Sequence, residues 1–171
     1  MASVFNIDQT EGAPLPELPV PVLDSAAGAD LYARLKGVAL TEGLRVTVGH
    51  EALLQRPGMM GFYEPGARAI YLREAAQLQK TKTLAHELAY HVGGAEVSSP
   101  EEETVAYVVC ARFGFDTGER SFPYVAIWSQ DQRVFRAALG RIQRIGQQII
   151  ERAESHGLAH LPERSHDSLR A

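Results

Sequence analysis

The sequence predicts an α+β fold, in which a short half-buried strand and a β-hairpin combine with several helices. Three observations predict it: one segment of alternating apolar residues, two short apolar runs joined by a proline-glycine turn, and four segments with apolar residues at helical spacing. The chain has 171 residues, of which 45% are hydrophobic and 22% are charged. A chain of this size and composition can close one sizeable core, so we expect one compact domain.

The first half of the chain contains the predicted strands. A helix is expected from residue 29 to about residue 40, because its apolar residues stand three or four positions apart. The segment LRVTV follows, and its alternating apolar residues predict a half-buried strand. The runs MMGFY and ARAIYL flank Glu64, Pro65 and Gly66, which favour a tight turn and therefore predict a β-hairpin.

The second half of the chain is predicted to be helical. The segment KTLAHELAYHV has helical spacing and ends at a pair of glycines. The next helix is expected to begin at SPEEETVAYVVC, with Ser99 as its cap and Glu102 completing a capping box. The segment FPYVAIW predicts a short helical turn, after which Ser129 caps a long amphipathic helix.

Composition places boundaries near both ends of the chain. Residues 1–28 include PLPELPVPVLD, whose prolines remove backbone donors and favour an extended arm. Residues 29–155 are predicted to form the main domain. Residues 156–171 are polar and are predicted to form a C-terminal tail.

The overall charge and the single cysteine exclude several classes of protein. A formal net charge of -4 gives no general attraction to phosphate backbones and does not favour a nucleic-acid partner. No apolar run approaches the roughly 20 residues that cross a bilayer, and no secretion signal is present, so we expect a cytoplasmic protein with no membrane partner. Cys110 has no second cysteine to pair with and is expected to be a small buried hydrophobe.

The segment TLAHELAYH carries the most informative residues of the chain. Positions four apart on a helix differ by only about 40°, so two histidines at that spacing can hold one metal ion, with a glutamate beside it. Here Tyr90 stands four positions after His86, where the second histidine of such a motif would be. His91 comes one position later, about 140° round the helix, and is expected to point toward the core flank.

The surrounding sequence resembles a known family. The run KTLAHELA, preceded by GFYEPGARAIYL and followed by EEETVAYVVCARFGFDTGERSFPYVAIW, resembles the ImmA/IrrE-type metallopeptidase domain of bacteria over roughly residues 31–150. The resemblance implies a small zincin-like core, in which a short antiparallel sheet with the β-hairpin packs on an active-site helix and several further helices, with zinc as the cofactor. It also implies peptide-bond hydrolysis of a regulatory protein, such as a helix-turn-helix transcriptional repressor in a stress response.

The resemblance also assigns roles to individual residues. His86 would be the first zinc ligand and Glu87 the catalytic general base. The third ligand would be a glutamate on the following helix. We favour Glu103, which immediately precedes the TVAYVV run, because Glu102 has an explanation in the predicted capping box, and Glu101 is the second choice.

Tyr90 is compatible with the predicted fold but is expected to impair the predicted activity. A phenol has a pKa of about 10 and must lose its proton to become a good ligand, so Tyr90 should weaken zinc binding. We therefore expect weak zinc binding and little proteolysis, and we expect Tyr90→His to restore one tightly bound zinc ion. The sequence does not distinguish a natural tyrosine from an introduced one.

Three aromatic residues are candidates for substrate binding. Phe62 and Tyr63 lie on a hairpin strand whose edge either pairs with an extended peptide or packs on a helix. Tyr124 is placed to reach the cleft, although a tyrosine at such a position commonly belongs to the core.

The sequence leaves two further functions open. One is a catalytically inactive metallopeptidase fold that binds a partner protein. The other is an antirestriction-type protein that binds single-stranded DNA, because some relatives of the family carry a DNA-binding region ahead of the peptidase domain. About 30 residues precede the first predicted helix, which is too few for such a region.

Overall fold

The computed structural model describes residues 22–119, 121 and 132–158. These residues form a mixed α+β structure that is mostly helical and contains one small sheet, so the predicted class is confirmed at that level. A short 3-10 turn at Gly94–Glu96 joins the third and fourth helices. The elements in chain order are α1 (Ala29–Thr41), β1 (Arg45–Val48), α2 (Glu51–Leu54), β2 (Gly61–Glu64), β3 (Ala69–Leu72), α3 (Gln77–Gly93), α4 (Ser99–Arg112) and α5 (Gln132–Leu158).

The sheet has three strands in the order β1-β3-β2. Strands β2 and β3 are antiparallel, with Phe62 opposite Tyr71, and they form the predicted hairpin. Strand β1 runs parallel to β3, with Val46 opposite Ile70, so the prediction of a wholly antiparallel sheet is wrong at this strand. The reason is the connection through α2, which carries the chain to the far side of β3 before the hairpin begins. Alternating residues predict a strand but not its direction.

Helix α3 lies at the centre of the core, in contact with α1, α4, α5 and the sheet. Leu84 and Leu88 of this helix are fully buried among side chains that include Leu35, Val105 and Ile145. Burying one such leucine stabilises the fold by about 1.5–3 kcal/mol, so the helix that carries the histidine motif is firmly anchored.

Cys110 on α4 belongs to the same core and is fully buried, as predicted. Burial raises the pKa of its thiol to about 12. The thiol therefore stays protonated and acts as a small hydrophobe.

The start of α4 differs from the prediction by one residue. Ser98 is the N-cap, and its backbone N–H and hydroxyl both donate to Glu101 Oε2 at 2.8 Å. The capping box therefore uses Ser98 and Glu101, and the prediction that Ser99 and Glu102 form it is wrong. Glu102 is thereby released from the cap and lies on the side of α4 that faces α3.

The last helix extends past the predicted end of the domain at residue 155. His156 Nε2 lies 3.1 Å from the hydroxyl of Thr41, which attaches this part of α5 to α1. The division into arm, domain and tail stays a prediction. The Ser129 cap, the FPYVAIW segment and most of the proline-rich arm lie outside the described residues. No helix in the described ranges is both long and apolar enough to cross a membrane.

Candidate metal site between helices α3 and α4

A cavity of about 300 Å³ opens between the hairpin and helices α3 and α4. The loop before β2 and the edge of that strand form one wall. The polar residues of the opposite walls include Lys82, His86 and Glu87 from α3 and Glu103 from α4. The histidine-glutamate pair of the motif therefore lines this cavity.

The imidazole of His86 lies between two carboxylates of α4. Its Nε2 is 3.2 Å from Glu102 Oε2, and its Nδ1 is 3.3 Å from Glu103 Oε2. The second contact has the distance of an ion pair but not the alignment of a hydrogen bond, and buried Nδ1 has no hydrogen-bond partner. Successive residues on a helix differ by about 100°, so Glu102 and Glu103 reach opposite sides of one ring.

The two carboxylates keep His86 protonated. Burial alone would lower the pKa of the imidazole, but Glu102, Glu103 and Glu87 together raise it to about 9. His86 is therefore a cation at neutral pH, and a metal ion must displace its proton.

A buried lysine also takes part in the site. Lys82 lies one turn before His86 on α3, and its ammonium is ion-paired with Glu103 Oε1. The lysine side chain is 3% exposed and the glutamate 8%. Burial would raise the pKa of Glu103, but His86 and Lys82 hold it at about 2.

Glu87 has the environment of a proton acceptor. Its carboxylate is buried and accepts a hydrogen bond from the backbone N–H of Tyr63 on β2. Burial raises its pKa to about 7, with His86 opposing the shift and Glu102 adding to it. A carboxylate with a pKa near neutral is suited to exchanging protons at physiological pH.

Tyr90 and His91 both contact the hairpin. The ring of Tyr90 packs edge-on against that of Tyr63, with 5.8 Å between centroids, and Tyr90 does not line the described cavity. His91 Nδ1 lies 3.0 Å from the Tyr63 hydroxyl, and its Nε2 lies 3.7 Å from Glu42. His91 therefore contacts the hairpin and the residue that follows α1, and its predicted direction toward the core flank stays a prediction.

The predicted substrate-binding residues have different surroundings in the structure. Phe62 packs against Tyr71 and His50, with centroids 4.9 and 5.6 Å away. Tyr63 lies beside the motif helix and orients Glu87 through its backbone. Tyr124 lies outside the described residues.

Sequence reasoning missed two members of the site, Lys82 and Glu102. Lys82 precedes His86 by four positions, a spacing that puts both on one face of α3. Glu102 was assigned to a cap that the structure builds with Glu101. Glu101 is also bound by Arg141 of α5, at 2.8 and 2.6 Å, and takes no part in the contacts of His86.

As they stand, the described residues contain no group of three or more histidine, cysteine or acidic side chains that could hold a metal ion. The set around His86 nevertheless fits a divalent cation chemically. It combines one imidazole with carboxylates, and its buried Nδ1 lacks a hydrogen-bond partner. The protonated ring stands between the carboxylates, so it supplies the positive charge that an ion would bring.

Comparison with known proteins identifies no family, since no family model matches the chain. An uncharacterized protein of Bacillus anthracis is 28% identical over 153 residues, which cover 76% of this chain and 26% of that protein. Crystal structures of the antirestriction ArdC protein from the R388 plasmid are also similar to this chain. The metal-free form has a TM-score of 0.49 at 22% identity, and the Mn(II)-bound form 0.45 at 19%.

This chain corresponds to part of each of these proteins. It spans about a quarter of the length of the Bacillus protein, with 26% covered. It spans about three fifths of the ArdC chains, with 60% and 61% covered, while 88% and 87% of this chain is covered in return.

The comparisons correct the predicted function. The solved structures found similar to this chain are of an antirestriction protein, and the prediction of a zincin metallopeptidase that hydrolyses a regulatory protein in a stress response is wrong against that finding. The ImmA/IrrE-type resemblance stays a prediction, because no family model matches. These similarities support neither the expected protein substrate nor the expected exclusion of nucleic acid. One of the similar structures contains Mn(II), and none of these findings concerns zinc.

Proposed function

We propose that this chain is an antirestriction-type protein that binds a divalent metal ion between helices α3 and α4. The observation that carries the proposal is the position of His86, in contact with the carboxylates of Glu102 and Glu103 beside a cavity that also contains Glu87. Antirestriction is one of the functions that the sequence leaves open, and it is also the function named for the protein in the two solved structures.

Different residues of the chain would have different roles in such a site. His86 and a carboxylate of α4 would hold the ion, which when bound supplies positive charge that acidifies the groups attached to it. Glu87 holds or releases a proton near neutral pH, because its pKa is about 7. The backbone N–H of Tyr63 orients the carboxylate of Glu87.

The donor set bears on which metal is bound. Affinity at nitrogen and oxygen sites generally places Zn²⁺ above Mn²⁺, while carboxylates suit Mn²⁺ and imidazole suits Zn²⁺. Tyr90 stands where a second imidazole would favour zinc. We propose that the site accepts both ions, with a smaller preference for zinc than a two-histidine site has.

The metal proposal is tested by measuring bound zinc and manganese per chain after purification without chelator and dialysis against each ion. We expect one ion per wild-type chain and loss of that ion in His86→Gln. Glu96→Gln is a matched control, because Glu96 is an exposed carboxylate in the connection between α3 and α4. Absence of bound metal in the wild-type chain, or retention of it in His86→Gln, contradicts the proposal.

The antirestriction role is tested separately in cells. An unmodified plasmid is transferred into a restricting host that expresses the wild-type chain, the His86→Gln variant or no added protein, and a non-restricting host serves as control. We expect the wild-type chain to raise the recovery of plasmid in the restricting host alone. Equal recovery with and without the chain rules out this role without affecting the metal measurement.

A further inference from the structure

We infer that two copies of this chain associate through the outer edge of strand β1, and that the two strands pair antiparallel about a two-fold axis at Thr47. The two three-stranded sheets then join into one, in the order β2-β3-β1-β1-β3-β2. The inference goes beyond the proposed function, because β1 lies at the opposite edge of the sheet from β2, whose residue Gly61 lines the cavity.

Strand β1 is an edge strand with free backbone groups. It pairs with β3 on one side, and no strand among the described residues pairs with its other side. The N–H groups of Arg45 and Gly49 donate to carbonyl groups of β3 and of the residue before it, at 3.0 and 2.8 Å. Backbone groups alternate in direction along a strand, so the N–H and C=O groups of Val46 and Val48 point outward. Such a row of unpaired groups is a template for another strand.

The sequence of β1 lacks the features that commonly protect an edge strand, which are lysine, proline or a bulge. The strand reads RVTV, and its β-branched residues favour extended pairing. Val46 and Val48 are half-buried against the core, and Thr47 is exposed on the opposite face. A neighbouring strand therefore covers more of both valines without displacing a core side chain.

A second copy of the chain fits this edge because β1 is self-complementary. When the outward groups of Val46 bond to those of Val48 in the second copy, symmetry forms the reverse pair, and the two copies of Thr47 lie opposite each other. Threonines that face each other across two strands stabilise the pairing. The two copies of Arg45 are then four positions apart in register, about 13 Å, and repel each other little.

The ends of β1 add charge complementarity between the copies. Arg45 and Glu51 are both exposed, and neither has an ion pair with another described residue. In the inferred register Arg45 lies opposite Gly49 of the second copy, two residues before Glu51, where α2 begins. The arginine of each copy therefore approaches the glutamate of the other. Each copy contributes a strand of four residues, so we expect a small interface and a reversible dimer.

The association is tested by sedimentation velocity of the full chain over about a 100-fold range of concentration. We expect a monomer–dimer equilibrium for the wild-type chain. Thr47→Lys and Thr47→Glu should each weaken association at least about 10-fold, because like charges then face each other at the axis. An equimolar mixture of these two variants should dimerise again, since the facing charges are opposite. Gln143→Lys is a matched control, because Gln143 is exposed on α5 and the variant carries the same added charge.

Each outcome of this experiment bears on the inference. A wild-type chain that stays monomeric over the whole range overturns it, and so does a Thr47→Lys chain that dimerises like the wild type. A mixture of the two charged variants that stays monomeric overturns the position of the axis at Thr47. Circular dichroism verifies that each variant is folded. These results leave the metal and antirestriction proposals unaffected.

A disulfide tests the register without adding charge. The two copies of Thr47 form a pair without mutual hydrogen bonds, with Cα atoms about 4.5 Å apart, a separation that a disulfide spans. Thr47→Cys should therefore form a covalent dimer under mild oxidation, seen as a doubled mass in non-reducing electrophoresis. Arg45→Cys should form far less, because its two copies are about 13 Å apart. The native Cys110 is fully buried and is not expected to react. Equal cross-linking of the two variants, or none in Thr47→Cys, contradicts the inferred pairing.

Discussion

Replacing Lys82 by methionine tests the buried charge pair beside the candidate site. The ammonium is 3% exposed and its partner Glu103 is 8% exposed, so water stabilises neither charge. Removing one member of such a pair typically destabilises a protein by about 3–5 kcal/mol. We expect the lower end, about 3 kcal/mol, because Glu103 keeps its 3.3 Å contact with His86.

The expected loss is large enough to measure by equilibrium unfolding. For a chain of this size it corresponds to a fall of about 6–12 °C in Tm, or to a lower urea midpoint with an unchanged slope. The double variant Lys82→Met/Glu103→Gln leaves neither charge buried and should be less destabilised than Lys82→Met alone.

Two outcomes would refute the reasoning about this pair. One is a change of less than about 1 kcal/mol in Lys82→Met, the range of an exposed ion pair. The other is a double variant whose loss equals the sum of the two single losses, since residues that interact directly are not additive.

Three further predictions concern metal affinity, pH and the cap of α4. Tyr90→His should strengthen Mn²⁺ and Zn²⁺ binding by about 100-fold or more, because it adds an imidazole on the His86 face of the helix; unchanged affinities by calorimetry would mean that this position does not face the ion. The pKa of His86 is raised from 6.5 to about 9, so its contribution to the stability of the metal-free chain is complete below pH 6.5 and is lost as the pH rises through 9. Unfolding measurements from pH 6 to pH 10 should show this decline in the wild-type chain and not in His86→Gln; parallel curves for the two proteins would contradict the assignment. Ser98→Ala should destabilise the chain by about 1 kcal/mol and Ser99→Ala by less than about 0.5 kcal/mol, and the reverse order in urea unfolding would restore the predicted cap.

The α4 cap illustrates where reasoning from local sequence stops. The predicted pair of Ser99 with Glu102 and the observed pair of Ser98 with Glu101 have the same capping-box spacing, so spacing alone does not distinguish them. The structure selects the pair of Ser98 with Glu101, in which Arg141 of α5 also binds Glu101. That arginine lies 40 positions away along the chain, beyond the reach of any local pattern.

The direction of strand β1 in the sheet is a second feature that local sequence does not determine. Its alternating residues predict a strand, and the turn residues predict the hairpin that follows, because both depend on neighbouring positions. The parallel pairing of β1 with β3 depends on the path of the chain between them. The sequence therefore predicted each strand but not the topology of the sheet.

At the candidate site, local sequence was sufficient for everything that the geometry of one helix controls. The local sequence predicted the helix that contains His86 and Glu87. It also predicted that Tyr90 lies on the same face as His86 and that His91 lies on a different face, because an α-helix has 3.6 residues per turn. The partners of these side chains were set by the packing of α4 on α3. The pairing of Lys82 with Glu103, 21 positions away, and the approach of Glu102 and Glu103 to opposite sides of one imidazole arise where two helices meet.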